Sequence, residues 1–449
     1  MKFIKKIVAS SFFCVLFSAS SFGQLTAQQA VFEALKNNYD ILISEKQEEI
    51  AEMNNSWSES GLFPTVTLQI GQNNAIQDNT NNPFTFTPGV ILNQGFNPSL
   101  VANMNLFSGW QVKMSKQRLE QLEAQSKGNT AVVVEALTQD VLKTYYSALL
   151  QKERQNLFEN VLEFSSKRLQ YAEIKNKYST TNSLELLQLK NQHLTDSTNY
   201  ILQKLNYENS VRNLVLLMNN SEDTTLNTLP ELTDNLDLDL NLIDESKALS
   251  EVMENNENLK NQYLSLELSE TAIEFQKSFL YPTLNLQLAA SPNYGRFQQL
   301  SGGNPNQPSS LSTQTLVYTG NFTLRYNLYN NWKSKRAVEV ARIQKDITSL
   351  NIDKMKNTLS ASLQNLLNLY ALRSQLVNVS RENLTYATEA FALAQKRFDL
   401  GSINSIDLIV FQNSYESTLL QHYENLYNRI DTYLEIYKMT GKLGLTYAE

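Results

Sequence analysis

The sequence contains a tandem duplication. Residues 62–69 read LFPTVTLQ and residues 280–287 read LYPTLNLQ, an offset of 218. Further along, residues 105–107 (NLF) return as residues 327–329 (NLY), and the offset is then 222. This period is far longer than the roughly 20 to 50 residues of solenoid repeats. The two copies are therefore expected to be related halves of one architecture.

The first residues have the pattern of a secretory signal peptide. Three lysines precede an apolar run from Ile7 to Phe17, and small residues at 21–23 offer a cleavage site. This run is shorter than a membrane-spanning helix of about 20 residues, and no later stretch is long and apolar enough to be one. The only cysteine, Cys14, lies inside the signal. We therefore expect a mature chain without disulfides or cysteine chemistry.

Composition and motifs argue against nucleic-acid binding and catalysis. The formal net charge is −7, which disfavours nucleic acid as a partner. The two histidines, His193 and His422, are predicted to face solvent on helices. The sequence has no glycine-rich phosphate loop, no Ser/His/Asp order and no metal-ligand spacing. We predict that the protein is not an enzyme and needs no cofactor or metal.

Two long stretches are predicted to be helices. No proline occurs between Pro98 and Pro230, and neither proline nor glycine occurs between Gly320 and Gly401. Because proline breaks helices and glycine weakens them, residues 110–177 and 332–398 are predicted to be helical. The second stretch has a heptad-like seam, which predicts coiled-coil packing: Leu359, Leu363, Leu366, Tyr370, Val377, Leu384 and Phe391, alternating with Ser380, Ala387 and Ala394.

Each copy also contains a predicted β-hairpin, at 64–107 and 282–329. Apolar and polar residues alternate in these strands, so each has one apolar face. The segments 71–98 and 291–315 are predicted to be exposed loops. The residues predicted to point outward from the apolar face are Val66, Leu68, Ile70, Leu100, Met104, Leu106, Leu284, Leu286, Leu288, Phe322, Leu324, Tyr326 and Leu328.

Two interpretations of these hairpins are open. Alternation is common in half-buried soluble sheets. Strands of about 9 to 11 residues that face lipid outside and a wet lumen inside also alternate, and Arg325 on the polar face favours this second interpretation. Four strands cannot close a barrel, and an open sheet edge cannot be left in lipid. Strands in a membrane therefore predict an oligomer.

The long helices need a reversal, and the sequence supplies a turn in each copy, at 178–184 and 399–405. Gly401 suits a left-handed helix end. Asn404 with Asp407, and Asn182 with Glu185, have the spacing of capping boxes for the return helices. The predicted organisation is a signal peptide at 1–23, repeat 1 at 24–220, an acidic linker at 221–242, repeat 2 at 243–442 and a tail at 443–449.

These features together resemble the outer membrane efflux proteins, the TolC-like channels. The resemblance runs from about Leu25 to Lys442. It is carried by Phe63-Pro64 and Tyr281-Pro282 before a strand, by LFSG at residues 106–109, and by Gly401 followed six residues later by Asp407. It implies a mainly α protein with membrane β-strands. In such proteins the three chains of a homotrimer each contribute four strands to one 12-stranded β-barrel. A long coiled-coil α-helical barrel continues it.

The resemblance also implies a function. The protein would be an outer-membrane exit duct of a tripartite efflux or type I secretion system. It would extend into the periplasm, contact outer-membrane lipid, and bind a periplasmic adaptor (membrane fusion) protein and an inner-membrane pump. Asp407 and Glu185 would form an acidic gate at the tip, and capping alone is the alternative. The residues implied in docking are Ser179, Thr180, Thr181, Asn182, Ser183, Gly401, Ser402, Ile403, Asn404 and Ser405.

A different class of protein also fits part of the sequence. A soluble periplasmic coiled-coil adaptor or scaffold would explain the long helices and their turns. It would leave two hairpins with apolar outer faces unexplained. The duct is therefore the preferred prediction.

Overall fold

The computed structural model describes residues 24–85, 88–178, 183–219, 229–240, 243–302 and 309–443. The predicted signal peptide, most of the acidic linker's first half and all but one residue of the predicted tail lie outside these ranges. The chain divides into two compact units, each built from both sequence copies. Unit 1 comprises residues 1–42, 133–256 and 359–449, and unit 2 comprises residues 43–132 and 257–358.

Helices make up most of the described chain. Within it, no helix combines the length and apolar character needed to cross a membrane. The two longest helices match the predicted stretches closely. The helices are α1 (Ala27–Asn37), α2 (Tyr39–Asn54), α3 (Gln111–Lys177), α4 (Ser183–Met218), α5 (Glu245–Asn255), α6 (Glu257–Ser278), α7 (Lys333–Asp399) and α8 (Ser405–Met439).

Unit 2 contains a four-stranded antiparallel sheet whose strands lie in the order Thr65–Asp78, Val90–Ser108, Thr283–Ser301 and Ser310–Arg325. Thr65 pairs with Asn103 in the first hairpin, and Thr283 pairs with Arg325 in the second. These pairs are related by the same offsets of 218 and 222 that the sequence shows, so both hairpins have one register. The strands are β1 (Gln24–Leu25), β2 (Thr65–Asp78), β3 (Val90–Ser108), β4 (Glu231–Leu232), β5 (Thr283–Ser301) and β6 (Ser310–Arg325).

The prediction of exposed loops at 71–98 and 291–315 is wrong for most of both segments. Strands β2 and β3 continue to Asp78 and from Val90, and β5 continues to Ser301. These segments are rich in Asn, Gln and Ser, which are common in loops. Strand pairing uses backbone hydrogen bonds, however, and does not require apolar and polar side chains to alternate. The pairing of β3 with β5 is interrupted between Phe96 and Leu100, around Pro98 and Pro292. Proline has no N–H to donate.

The last strand is shorter than predicted. β6 ends at Arg325, so Tyr326 and Leu328 lie beyond the strand rather than on it. Arg325 pairs with Thr283, the first residue of β5. Because β6 is an edge strand with β5 as its neighbour, residues after Arg325 have no strand opposite them.

The heptad seam predicted in α7 is buried within unit 1. Leu363, Tyr370 and Val377 are 2%, 7% and 0% exposed, and the small residues Ser380 and Ala394 are also buried. Large and small residues at alternating seam positions allow this close approach. The seam therefore forms the buried side of this part of α7, as coiled-coil packing requires.

Polar contacts define the order of the four long-helix segments in unit 1. Gln203 of α4 donates to Gln151 Oε1 of α3 at 2.9 Å. Lys143 of α3 forms an ion pair with Asp431 of α8 at 2.8 Å. Arg373 of α7 donates to the Asn428 carbonyl of α8 at 2.6 Å. At this level the order is therefore α4–α3–α8–α7, with α4 and α7 at the two edges, whereas nearer the turns Phe164 of α3 also contacts Phe391 of α7.

A buried asparagine repeats between the shorter helices. Asn38, between α1 and α2, donates to Leu217 O at 2.9 Å, and Asn256, between α5 and α6, donates to Met439 O at 3.1 Å. Each bond satisfies a carbonyl at the end of a return helix, where carbonyls have no partner within the helix. The duplicated Asn thus closes the same joint in both copies.

The prediction for the histidines is wrong. His422 is 6% exposed and its Nδ1 lies 2.9 Å from the Ser380 hydroxyl. His193 is half-buried, with its Nδ1 3.3 Å from the Ser165 hydroxyl. Both pairs join neighbouring helices, and burial is the main cause of the lowered pKa of His422. Both histidines pack between helices. They were predicted to face solvent only because their helices are rich in polar residues.

Candidate functional site

The turn between α7 and α8 begins with a glycine. Gly401 has a φ of +71°, in the left-handed region. Its N–H donates to Phe398 O at 2.8 Å, and Ser402 N–H donates to Arg397 O at 2.8 Å. These bonds form a Schellman motif, which satisfies the last carbonyls of the helix. The left-handed helix end predicted at Gly401 is confirmed.

Asn404 caps the start of α8. Its side-chain oxygen accepts a hydrogen bond from Asp407 N–H at 2.9 Å, as the sequence predicts. Among the described residues of this turn, Asp407 does not return the bond that would complete a capping box. The Asp407 side chain is exposed to solvent instead. Capping therefore uses the backbone of Asp407 and leaves its carboxylate accessible.

Glu185 has a different environment from Asp407, although the duplication makes them equivalent. The Ser405 hydroxyl donates to the Glu185 carboxylate. Ser405 is 2% exposed, and Glu185 is half-buried in the first turn of α4. This bond joins the two sequence copies next to the turn. Glu185 therefore joins the first turn of α4 to the start of α8, whereas the Asp407 carboxylate faces solvent.

The predicted docking turn is partly described. In this part, Ile403 is half-buried and Ser405 is buried, while the others are exposed: Ser183, Gly401, Ser402 and Asn404. The remaining four residues, and with them the predicted Asn182 cap, lie outside the described residues: Ser179, Thr180, Thr181 and Asn182.

The apolar residues of the sheet in unit 2 share one face. Directly paired residues of antiparallel strands lie on the same face. Phe322 and Leu324 are 71% and 68% exposed, and the β2 residues on this face are 62% to 65% exposed. The paired rows are Val66–Ala102–Leu288–Gly320, Leu68–Leu100–Ala290–Tyr318 and Met104–Leu286–Phe322, with Ile70 opposite Pro98 and Leu284 opposite Leu324.

One predicted position falls at an irregularity. The β3–β5 register shifts between Asn105 and Phe107, so Phe107, rather than Leu106, pairs with Leu284. Leu106 is 41% exposed at this bulge. Bulges re-aim side chains at the ends of sheets, and here the bulge ends the regular alternation.

The apolar face changes character at an aromatic pair. Phe96 and Tyr294 lie opposite each other on β3 and β5, with ring centroids 6.1 Å apart. The next row on the same face is Gln94–Arg296–Ser312. Beyond this row apolar and polar side chains mix on both faces, with Ile76 opposite Leu92 on this face and Phe297 opposite Leu311 on the other.

A second aromatic group marks the other end of the apolar face. Trp110 lies edge-on to Phe107 and Tyr281, at centroid distances of 5.2 and 5.4 Å. The ten residue-to-residue steps from Leu284 to Tyr294 span roughly 33 Å along a strand. With the tilt of about 35–45° found in membrane barrels, this becomes a band about 25 Å high.

The opposite face of the sheet is polar. Arg325 lies on this face, opposite Thr283. A representative row is Thr65–Asn103–Gln287–Asn321. The sheet is thus amphipathic across all four strands.

Apolar side chains at steps of seven stay exposed on the two edge helices of unit 1. We call them the α4 stripe and the α7 stripe. Exposed apolar patches on a protein surface mark interaction sites. The α4 stripe is Leu187, Leu194 and Ile201, 62% to 65% exposed, and the α7 stripe is Leu372, Val379, Tyr386 and Leu393, 51% to 64% exposed.

Sequence reasoning missed these stripes and a buried charged cluster formed by Arg168, Asp196 and Glu416. The stripes could have been found from the sequence, because their apolar residues repeat every seven positions, as a second heptad series offset from the buried seam of α7. The cluster has an indirect one, because the polar Gln412 stands one turn from Leu408 on the buried side of α8. Across the described ranges, no group of three or more His, Cys, Asp or Glu side chains has the arrangement of a metal site.

The fold matches solved outer-membrane channels. The CmeC outer membrane channel of Campylobacter jejuni has a TM-score of 0.74 at 16% identity, covering 93% of this chain and 85% of that one. The open-state MtrE outer membrane channel of Neisseria gonorrhoeae gives 0.72 and 16%, covering 93% and 89%. The outer membrane protein VceC of Vibrio cholerae gives 0.67 and 10%, covering 92% and 96%.

The sequence comparisons agree with this fold. Residues 248–442 match the family model of outer membrane efflux proteins. The resemblance to this family drawn from the sequence is confirmed by the match. The match also supports the predicted location in the outer membrane with an extension into the periplasm. No curated protein sequence gives a significant match.

Proposed function

We propose that the protein is a trimeric exit duct of the outer membrane that passively conducts substrates from a periplasmic adaptor and inner-membrane pump to the exterior. Three chains would pool their strands into a 12-stranded barrel and their long helices into a tunnel. The observation that carries the proposal is the amphipathic four-stranded sheet with an exposed apolar band of bilayer height. A soluble scaffold is not favoured by the fold or the family match.

The sheet itself supports an oligomer. Its outer strands, β2 and β6, have a partner on one side within the described chain. Backbone groups at a free edge cannot be left unpaired in lipid, because each costs several kcal/mol there. Closing β6 of one chain against β2 of the next would remove both edges. Repeating this three times would give a barrel without edges.

The duplication supplies the register of that closure. Within the chain, β3 of the first copy pairs with β5 of the second, with Val101 opposite Ala289. The offset of 222 carries Val101 to Thr323 on β6, and the offset of 218 carries Ala289 to Gly71 on β2. We therefore propose that Thr323 of one chain lies opposite Gly71 of the next.

The helices of unit 1 support the same arrangement. α4 and α7 are the edge helices, and both carry exposed stripes with heptad spacing. In a head-to-tail ring, α4 of one chain meets α7 of the next, and the two run antiparallel. Within the chain Ser380 of α7 faces His422 of α8, and the offset of 222 carries His422 to Tyr200 on α4. This register places Leu194 opposite Tyr386. Knobs-into-holes packing would bury both stripes.

The tip would control passage. Three copies of the exposed Asp407 near one axis would concentrate negative charge and bind multivalent cations. Docking of adaptor and pump at the turns around Ser183 and Gly401–Ser405 would untwist the tip helices. The energy for transport would come from the pump.

Cation block of the reconstituted channel tests the duct and its gate. In planar bilayers we expect discrete currents that a trivalent cation blocks from the tip side. Asp407→Ala should weaken the block about tenfold or more, the change that corresponds to roughly 1.4 kcal/mol of lost attraction. Glu185→Ala should change the block little, because Glu185 is bonded to Ser405.

Glu389→Ala is the matched control, since Glu389 is an exposed carboxylate elsewhere on α7. It should leave the block at the wild-type level. An unchanged block in Asp407→Ala would refute the gate while keeping the duct. Absence of any channel activity in correctly assembled protein would refute the duct.

A further inference from the structure

Three charged side chains lie between helices near the turn-side end of unit 1, Arg168 and Asp196 buried and Glu416 half-buried. Arg168 is on α3, Asp196 on α4 and Glu416 on α8. Arg168 and Asp196 are 9% and 3% exposed. Each lies about 9 to 13 residues from the turn-side end of its helix, or roughly 14 to 20 Å. The cluster therefore lies where three helices come together, close to their turn-side ends.

The cluster is incompletely paired. Gln412 Nε2 donates to Glu416 Oε1 at 2.5 Å, and Gln192 Nε2 donates to Asp196 Oδ1 at 2.8 Å. The three guanidinium nitrogens of Arg168 and the second oxygen of Asp196 have no hydrogen-bonded protein partner in the described chain. Burying charges in this way is costly. The packed arrangement is therefore sensitive to whether these groups are ionised.

A cavity next to the cluster leaves room for movement. Its volume is about 430 Å³. Arg168 and Gln412 line it beside the cluster, and Asp399 and Leu408 line it toward the turn, together with four aromatic rings. The pocket is partly open to solvent, and Phe164 and Tyr171 on its wall are 37% and 50% exposed. The helix ends can thus shift here without first displacing a filled core.

The neighbouring helices bring several charged and titratable side chains near Glu416. α3 contributes Arg168, and α4 contributes Asp196 with His193 beside it. On the α7 side, the ring of Phe391 stacks on Tyr415, the chain neighbour of Glu416, while Gln395 and Asp399 line the cavity nearer the turn. Asp196 and Arg168 act on Glu416 in opposite directions, so burial decides its behaviour.

Burial raises the pKa of Glu416 from 4.5 to about 7, against the lowering effect of the Gln412 hydrogen bond. Burial also raises the pKa of Asp196. A carboxyl with a raised pKa binds its proton more tightly when packed than when opened. The stability that protonated Glu416 gives to the packed state is fully present below pH 4.5 and is lost as the pH rises through about 7.

We propose that Arg168, Asp196 and Glu416 form a proton-operated latch that holds the turn-side ends of α3, α4 and α8 together in acid and releases them when Glu416 ionises. The latch acts within one chain and goes beyond the duct function. If the duct function holds, the consequence is a tip that opens more readily above neutral pH.

Backbone hydrogen exchange of residues 405–418 tests the latch. The purified protein in detergent is compared at pH 5.5 and pH 8.5, after correction for the chemical exchange rate. In wild type, we expect exchange to be at least tenfold faster at pH 8.5. Glu416→Gln stays neutral, so its slow exchange should persist at both pH values. Glu389→Gln, an exposed control on α7, should behave like wild type.

Two results would overturn the latch: equal exchange at both pH values in wild type, or a wild-type pH response in Glu416→Gln. The oligomeric mass of the same samples separates this proposal from the duct. A trimer with pH-independent exchange removes the latch and leaves the duct. A monomer with pH-dependent exchange keeps the latch and counts against the duct.

Discussion

Thr323→Cys combined with Gly71→Cys is expected to link neighbouring chains into covalent trimers under mild oxidation. Residues opposite each other in antiparallel strands have Cα atoms about 4.5–5.5 Å apart, within the range of a disulfide. The strand accepts a side chain at Gly71, because a Cβ there meets only Asn97 O, at 3.8 Å. The mature chain is predicted to contain no other cysteine. Non-reducing gels of isolated outer membranes provide the measurement.

Two control pairs make the cross-linking result specific. Thr323→Cys with Ala75→Cys keeps the same face of β2 but lies four residues out of register, roughly 13 Å away. It should remain uncross-linked. Val101→Cys with Ala289→Cys, which pair within the chain, should oxidise without any gain in mass. Cross-linking through Ala75 instead of Gly71 would contradict the proposed register.

Leu194→Asp is expected to lower the heat resistance of the trimer strongly. The substitution removes a large apolar side chain from the α4 stripe and places a charge opposite Tyr386 of the next chain. Loss of a buried leucine costs about 2–5 kcal/mol, and burying the charge adds to this. Because the trimer has three such interfaces, the effect is multiplied. The temperature at which trimers become monomers on gels measures it.

Thr195→Asp is the matched control for this variant. Thr195 is exposed on the next position of the same helix but outside the stripe, so the trimer should keep its heat resistance. Adding Tyr386→Lys to Leu194→Asp should recover part of the loss, since the new charges would attract each other across the interface. Equal heat resistance of Leu194→Asp and Thr195→Asp would argue against pairing of the two stripes.

Periodic features of the fold were predictable from the sequence. The absence of helix breakers located α3 and α7, and the heptad seam through Leu363, Tyr370 and Val377 is buried as predicted. Gly401 and Asn404 identified the turn because left-handed helix ends and caps each require particular residues. The apolar rows of the sheet followed from alternation with a period of two.

Features that depend on contacts across the chain were not predictable. The outer halves of the strands look like loops in composition, and only pairing with a neighbour reveals them. The bond from Ser405 to Glu185 joins residues that are far apart in sequence, so the duplication made Glu185 and Asp407 look equivalent. Glu416 resembles an ordinary surface glutamate of a helix, and its burial depends on α3 and α4 packing around it.

The mass of the protein extracted from outer membranes in detergent tests the central claim most directly. The account predicts a protein mass close to three chains of about 51.2 kDa or slightly less, found in the outer-membrane fraction. A monomer or dimer in the soluble periplasmic fraction would contradict the trimeric duct. It would leave the apolar face of the sheet without lipid and the two stripes without their partners.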